Sequence, residues 1–213
     1  KYKITETDLI QTNLPLTEKK KIKIIKPEGL KIFNADIVDK IKEDLSYNIF
    51  GKNNYLILDQ DNLTIPVIDS TENNFNYFGA LLHHIDDVIE IKTPNPVFLT
   101  ETNVGLHYMK DYILQPDLGD GFFIEKHDNF HFHSPLNHNC KGFLVLAKQI
   151  KENQFEIAAI KIPFKKCVIT PSNVFHSDCS LVGDFLVAYG ITKNYLTLNL
   201  FNKKNEIIKI NFE

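Results

Sequence analysis

The sequence predicts a mainly β protein, built as one antiparallel β-barrel with a few helices packed around it. Short β-like runs separated by turns follow one another from Val97 to the end of the chain. Helical periodicity is confined to the first half, so we do not expect a parallel α/β sheet. We therefore expect residues 1–213 to form a single domain, with residues 97–213 as the barrel and residues 1–95 as an N-terminal elaboration.

The first half of the chain carries two helical patterns and two strand patterns. A helix is predicted from Asn34, whose side chain suits an N-cap. Its apolar face would consist of Ile37, Val38, Ile41 and Leu45. A second amphipathic helix is predicted over Gly79–Ile89, ending before the prolines at 94 and 96. Tyr55–Leu58 and Thr64–Ile68 are typical of strands on either side of a turn.

A β-hairpin is predicted in the second half, where Gly142–Ile150 and Phe155–Ile162 flank a four-residue turn at 151–154. Its arms are apolar on both faces, because Leu144 and Leu146 oppose the face that carries Val145. Strands of this kind are covered on both sides. We therefore expect other elements to pack outside this hairpin.

The charge balance argues against a nucleic-acid partner. The net charge is −3, with 24 lysines, no arginine and 27 acidic residues. Proteins that bind nucleic acids usually carry a clustered basic surface, and arginine is the preferred reader of guanine. No apolar run approaches the roughly 20 residues that span a bilayer, so no membrane partner is expected either. A small-molecule partner remains, and a homodimer is compatible with the composition.

Cysteine usage indicates a reducing compartment. The three cysteines are Cys140, Cys167 and Cys179, an odd number with no CxxC pair. A disulfide framework is therefore not expected, and we expect a cytoplasmic protein with three buried thiols.

The histidines supply the strongest chemical signal, because five of the eight lie between positions 127 and 176. Residues i and i+2 of a strand point to the same face, so His131 and His133 project together. His138 follows after the bend expected at Pro135. His176 ends a proline-led turn downstream and comes from a distant strand. Imidazole suits iron, nickel, copper and zinc, so these residues predict one divalent metal site.

These segments resemble the two motifs of the cupin superfamily, over about residues 118–190. His131-Phe132-His133 followed by His138 resembles the first motif, two histidines one residue apart and then a glutamate. Pro171–His176 resembles the second, with Asn173 where that motif has glycine. Glu125 and Lys165 stand where glycines usually open the motifs. The resemblance implies a double-stranded β-helix, or jelly roll, around the metal.

The resemblance also implies an activity. With His138 (or Asn137) in the glutamate position, it implies an all-histidine site of His131, His133, His138 and His176. Fe(II) is the expected metal, with Zn, Ni or Mn as alternatives. We expect a small-molecule metalloenzyme, a dioxygenase or other oxidoreductase. The alternatives are an isomerase or epimerase of the same superfamily, and a non-catalytic module that binds a sugar or other small ligand.

The other ionisable residues receive weaker assignments. His176-Ser177-Asp178 matches half of an iron facial triad, but no histidine follows it and the chain lacks arginine. Asp178 is therefore expected in a turn or in support of the ligands. His127 is expected in a loop or beside the ligands. Asp128, Glu125 and Tyr189 are candidate acid–base groups. His83 and His84 are expected on a solvated face of the second helix, and His107 is expected in the core.

Overall fold

The computed structural model describes residues 2–4, 24–39, 53–93, 96–192 and 194–213. The strands of these residues are, in chain order, β1 (Tyr2–Ile4), β2 (Ile32–Asp39), β3 (Asn53–Leu58), β4 (Asn62–Ile65), β5 (Val67–Ile68), β6 (Leu81–His84), β7 (Val97–Val104), β8 (Phe123–His127), β9 (His131–Pro135), β10 (Lys141–Gly142), β11 (Leu144–Lys151), β12 (Gln154–Ile160), β13 (Lys166–Thr170), β14 (Phe175–Ser177), β15 (Leu181–Gly190), β16 (Tyr195–Asn202) and β17 (Lys209–Phe212). The helices are α1 (Glu72–Phe78) and a π-helical turn at Met109–Ile113. The predicted mainly β fold is confirmed.

Seven strands close into a barrel in the order β11-β14-β8-β16-β3-β2-β12, and β12 pairs with β11 to complete the ring. The barrel is mixed, because β16 and β3 run parallel while the other neighbours are antiparallel. Alternate residues point inward and fill the interior with apolar side chains, including Leu56, Val145, Ile157 and Leu198. These four side chains are fully buried.

A second, antiparallel sheet curls beside the barrel as a half-barrel, in the order β1-β7-β15-β9-β13-β6, with β10 paired to β15. A second apolar core involves the opposite face of the β11–β12 hairpin, where Leu144, Leu146, Ala158 and Ile160 are fully buried. Val168 of β13 and Phe185 of β15 belong to the same core. The predicted hairpin and its covering on both sides are therefore confirmed.

Both helices predicted in the first half are wrong. Asn34 lies inside β2, whose alternating burial places Phe33 and Ala35 in the barrel core and leaves Ile37 and Val38 exposed. Ladder hydrogen bonds to β3 and β12 hold this segment extended, which outweighs its helical spacing. Ile41 and Leu45 lie outside the described residues.

The helix predicted over Gly79–Ile89 is absent. The helix α1 lies before this segment and ends at Phe78. Thr71 caps α1 through a hydrogen bond from the Asn74 N–H, and Gly79 terminates the helix at φ 89°. Such a positive φ favours glycine and stops the helix. The chain then turns into β6, which pairs with β13. The strands predicted at Tyr55–Leu58 and Thr64–Ile68 are confirmed, although Pro66 divides the latter into β4 and β5.

The N-terminal half is built into both sheets. β2 and β3 are barrel strands, whereas β1 and β6 belong to the half-barrel. The other five barrel strands follow residue 97. Within the described part of the chain, no helix has the length and apolar character needed to cross a membrane.

A buried carboxylate ties the segment before β2 to the hairpin and to α1. The Glu156 side chain on β12 is 2% exposed and accepts hydrogen bonds from the Lys26 ammonium and, at 2.6 Å, from the Tyr77 hydroxyl. Burial favours a raised pKa for Glu156, but the hydrogen bonds from Lys26 and Tyr77 outweigh it and lower the pKa. Burial, followed by Glu156 itself, raises the pKa of Tyr77 to about 12.

Glu156→Gln should therefore lower the free energy of unfolding at pH 7 by about 1–3 kcal/mol, because it removes charge-assisted hydrogen bonds. The folded-state pKa is lowered, so this contribution is present above the ordinary carboxyl pKa of about 4. It is lost as the pH falls through the folded-state value. Urea unfolding of both proteins at several pH values should show the difference shrinking in acid.

Glu90→Gln is the matched control, since Glu90 faces Lys92 at 3.6 Å with its side chain 67% exposed. It should change the free energy of unfolding by less than about 0.5 kcal/mol. An undiminished effect of Glu156→Gln at pH 3 would contradict the role assigned to its charge.

Candidate metal centre

The candidate site lies where the outer wall of the barrel faces the half-barrel. On β8, Glu125 and His127 share one face, while Ile124 between them packs into the barrel core. His176 on β14 is the cross-strand partner of Glu125, so it lies on the same face. These three side chains are therefore presented together by the barrel wall.

The half-barrel supplies the opposing residues from β9. His131 and His133 point to one face and Phe132 to the other, where it packs in a separate apolar cluster. Val168 and Val187 flank His133 on the neighbouring strands. The expected shared face of the two histidines is thus present in the strand geometry.

The first ligand group consists of Glu125, His127, His131 and His176, and a ligand atom of each lies within 4.8 Å of all the others. His176 Nε2 lies 3.0 Å from His131 Nδ1 and 3.8 Å from Glu125 Oε1. The His127 ring centroid is 4.5 Å from that of His131 and 5.0 Å from that of His176. Three imidazoles and one carboxylate therefore surround one small volume.

Backbone carbonyls fix which nitrogen of two rings faces that volume. His127 Nδ1 contacts the Asn129 carbonyl oxygen at 2.8 Å, and His176 Nδ1 contacts that of Val174 at 2.9 Å. A carbonyl oxygen only accepts, so both Nδ1 atoms carry the proton and both Nε2 atoms keep a lone pair. Among the described residues, His127 Nε2 is buried and has no hydrogen-bond partner. This is the arrangement in which histidines ligate metals.

Two loops position these carbonyls. Asn129 lies in the three-residue connection between β8 and β9, where its side chain accepts from the Phe130 N–H and donates to the Ile191 carbonyl. In the turn before β14, the Asn173 N–H donates to the His127 carbonyl at 2.8 Å. Asn173 adopts φ 63°, so it supplies the left-handed conformation expected at the glycine position of the second motif.

The second ligand group consists of His131, His133 and Asp178, so it shares His131 with the first. His133 Nε2 lies 3.1 Å from Asp178 Oδ2. The His133 side chain is 1% exposed and its Nδ1 has no hydrogen-bond partner among the described residues. Asp178 follows β14 directly and keeps 38% of its side chain exposed, so the cluster opens toward solvent on this side.

The structure brings together three of the four predicted ligands and leaves one apart. His131, His133 and His176 lie in the two groups described above. His138 belongs to neither, because the turn after Pro135 directs it outward, where it is exposed and its ring lies 6.4 Å from that of Phe164. Glu125 and His127 complete the first group beside His131 and His176, so that candidate ligand set contains a carboxylate.

One expectation from the sequence is corrected here, because His127 is the last residue of β8, not a loop residue. Asp178 begins the turn after β14 and contacts His133, and its carboxylate is in addition a candidate ligand. Glu125 and His127 have the same i, i+2 spacing as His131 and His133. That spacing is a signal in the sequence. It is recognised only if the strand predicted at Phe122–Ile124 is taken to continue to His127.

Burial and mutual repulsion favour the neutral form of His127, His131 and His176. Burial, followed by the neighbouring imidazoles, lowers the pKa of His176 to about 4 and that of His131 well below its ordinary value. Burial likewise lowers the pKa of His127. Neutral imidazole is the form that binds a metal.

The two carboxyl groups are shifted in opposite directions. Burial, and then the negative charge of Asp178, raises the pKa of Glu125 to about 8. Burial opposes ionisation of Asp178 as well, but the hydrogen bond from His133 and the nearby imidazoles hold its pKa well below the usual range. A cation between the groups would favour the ionised form of Glu125.

Other groups line or adjoin the cluster. Thr170 and Thr197 pair across the strands with His131 and Glu125, and their buried hydroxyls have no hydrogen-bond partner among the described residues. Burial raises the pKa of the Cys179 thiol to about 12, and its Sγ lies 3.0 Å from the Ser177 hydroxyl oxygen. The Tyr189 ring, 38% exposed, lies 6.1 Å from that of His131.

The remaining sequence candidates lie away from the ligand groups. Asp128 accepts hydrogen bonds from the Thr192 hydroxyl and from Asn194, which tie the β8–β9 connection to the loop after β15. His83 lies on β6, not on a helix, with Nδ1 3.6 Å from Asp87 Oδ2. His107 is exposed, not part of the core.

Comparison with known proteins found no matching family model and no matching curated protein. The molecule is thus a mainly β protein with a closed seven-strand barrel, a half-barrel and a buried histidine-rich cluster that could hold a metal.

The turn that orients His176 can be tested at Asn173. Asn173→Val should lower the free energy of unfolding by about 1–2 kcal/mol, because a β-branched residue is strained at φ 63°. Asn173→Gly, which fits this conformation, is the control and should unfold at nearly the same urea concentration as the wild type. Equal stability of the valine and glycine variants would contradict the turn described here.

Proposed function

We propose that this chain is a metal-dependent enzyme for a small molecule, and that Glu125, His127, His131 and His176 hold its divalent cation. The observation that carries the proposal is the pair of fixed tautomers. His127 and His176 both use Nδ1–H on a backbone carbonyl and turn Nε2 toward the same volume. His127 Nε2 in particular is buried without a hydrogen-bond partner among the described residues, which a histidine that only filled space would not need.

The donor set favours a transition metal. Imidazole nitrogens suit iron, zinc, nickel and copper, while Mg²⁺ and Ca²⁺ prefer sites made of oxygen ligands. One carboxylate beside three neutral imidazoles partly balances the charge of a divalent ion. Fe(II) in such a set supports oxidoreductase chemistry, including reaction with dioxygen, and we take a dioxygenase or related oxidoreductase as the leading candidate.

The surroundings allow a small molecule to reach the ion. His131 is half-buried and Asp178 keeps 38% of its side chain exposed, so the cluster is not sealed on every side. Tyr189 stacks on Phe98, with ring centroids 5.6 Å apart, and its ring faces the His131 edge of the cluster. A flat aromatic surface beside a metal suits a small organic substrate.

A second candidate is an isomerase or epimerase, in which the metal acts as a Lewis acid. The buried hydroxyls of Thr170 and Thr197 favour it, because partnerless hydroxyl groups beside the ligands can bind the oxygens of a hydroxylated substrate. The metal itself separates the candidates. Iron together with substrate-dependent oxygen consumption supports the oxidoreductase, whereas turnover with zinc or nickel in the absence of oxygen supports the isomerase.

The metal site is tested by elemental analysis of purified protein after dialysis against a weak chelator. The wild type should retain metal, and His176→Gln, His127→Gln and Glu125→Gln should each weaken binding at least about 100-fold. Loss of residues that only support ligands already costs about 10–100-fold, and these three are direct ligands.

His138→Gln is the matched control, because His138 is an exposed histidine outside both ligand groups. It should retain metal as the wild type does. If His138→Gln loses the metal while His127→Gln and Glu125→Gln keep it, the ligand set proposed here is wrong and the all-histidine set expected from the sequence stands.

A further inference from the structure

We propose that the cluster also binds a second divalent cation, held by His131, His133 and Asp178. This inference rests on the proposed function, because the second ion would lie beside the one held by the first ligand group. It follows from three features of the cluster: the separation of the two groups, the carboxylate that the first ion does not contact, and the route by which an ion can enter.

The geometry separates the two ligand groups. Ligand atoms about 2.0–2.2 Å from one ion lie at most about 4.4 Å from each other. His133 and Asp178 do not join Glu125, His127 and His176 in one group, even with separations of up to 4.8 Å allowed. An ion in the first group therefore leaves both of these side chains outside its ligand set. His131, with a nitrogen on each side of its ring, belongs to both groups.

The two carboxyl groups of the cluster also favour a second cation. Among the described residues, the basic side chains that contact Glu125 and Asp178 are histidines, not lysines. The ion of the first group would lie against Glu125, and the Asp178 carboxylate then keeps the hydrogen bond with His133 but contacts no cation. A carboxylate in partly buried surroundings is costly unless it has a positive partner, and a second ion supplies that partner.

The second position has a donor pair and an open side. His133 Nε2 and Asp178 Oδ2, 3.1 Å apart, share a proton when no ion is present. Binding replaces that proton with the cation and releases it to solvent, as is usual when histidine becomes a ligand. The exposed part of Asp178 gives the ion an entry path. The two ions would lie on either side of the His131 ring, which would then also release its own N–H proton to solvent.

The test uses the full chain, stripped with a chelator and titrated with Co²⁺, with bound metal counted by elemental analysis and by absorption. The wild type should bind two equivalents. Asp178→Asn, which keeps the shape of the side chain, and the double variant His133→Gln/Asp178→Asn should each bind one. His176→Gln should weaken the other equivalent instead.

The control is His83→Gln/Asp87→Asn, which alters a His–Asp pair of the same kind on the surface and should still bind two equivalents. One equivalent in the wild type overturns the second ion and leaves the proposed function intact, whereas none overturns the proposed function as well. Two equivalents retained in a folded Asp178→Asn protein, with its melting curve unchanged, would also overturn the assignment. The number of Co²⁺ equivalents bound by the wild type tests the second site by itself. The proposal therefore stays testable even if a variant misfolds.

Discussion

The placement of four imidazoles and two carboxyl groups between two β-sheets, with most of them buried, is the constraint on which the rest of this structure depends. Polar groups in such a place destabilise a fold unless each finds a partner. Here backbone carbonyls satisfy one nitrogen of His127 and one of His176, and Asp178 satisfies one of His133. The remaining nitrogens converge, and a cation is the partner that can satisfy several of them together.

This arrangement is formed by the barrel and the half-barrel, which face each other at the cluster. The barrel wall contributes β8 and β14, whose inward residues fill an apolar core, so their outward residues are free to be polar. The half-barrel contributes β9, held between β13 and β15. Apolar residues of the β11–β12 hairpin pack beside the cluster and join the two walls. The cluster therefore lies between rigid strands, which favours fixed ligand positions.

The sequence predicts those parts of the site that depend on local spacing. Period-two alternation brings His131 and His133 to one face, and the proline turn before His176 marks a separate strand. The partnership of Glu125 with His176 is a cross-strand contact between residues 51 positions apart, which no local pattern contains. Asp178 is likewise a ligand candidate only because β14 lies opposite β9.

The fold of the N-terminal half also depends on contacts that local sequence patterns do not contain. The spacing of Ile37, Val38, Ile41 and Leu45 favours a helix, yet Ile32–Asp39 is a barrel strand because β3 and β12 need a neighbour to close the ring. Tertiary hydrogen bonding of this kind overrides local propensity. The hairpin is predicted correctly, since both its turn and its two apolar faces are local features.

The most direct test of the metal centre is nitrogen-15 NMR of the histidine side chains with and without Zn²⁺. Without metal, His127 and His176 should show the tautomer protonated at Nδ1, in accord with their carbonyl contacts. Zn²⁺ should shift the Nε2 resonances of both and leave those of the half-buried His83 and the exposed His138 unchanged. Protonation at Nε2 in His127 and His176, or no response of either to Zn²⁺, would contradict the account.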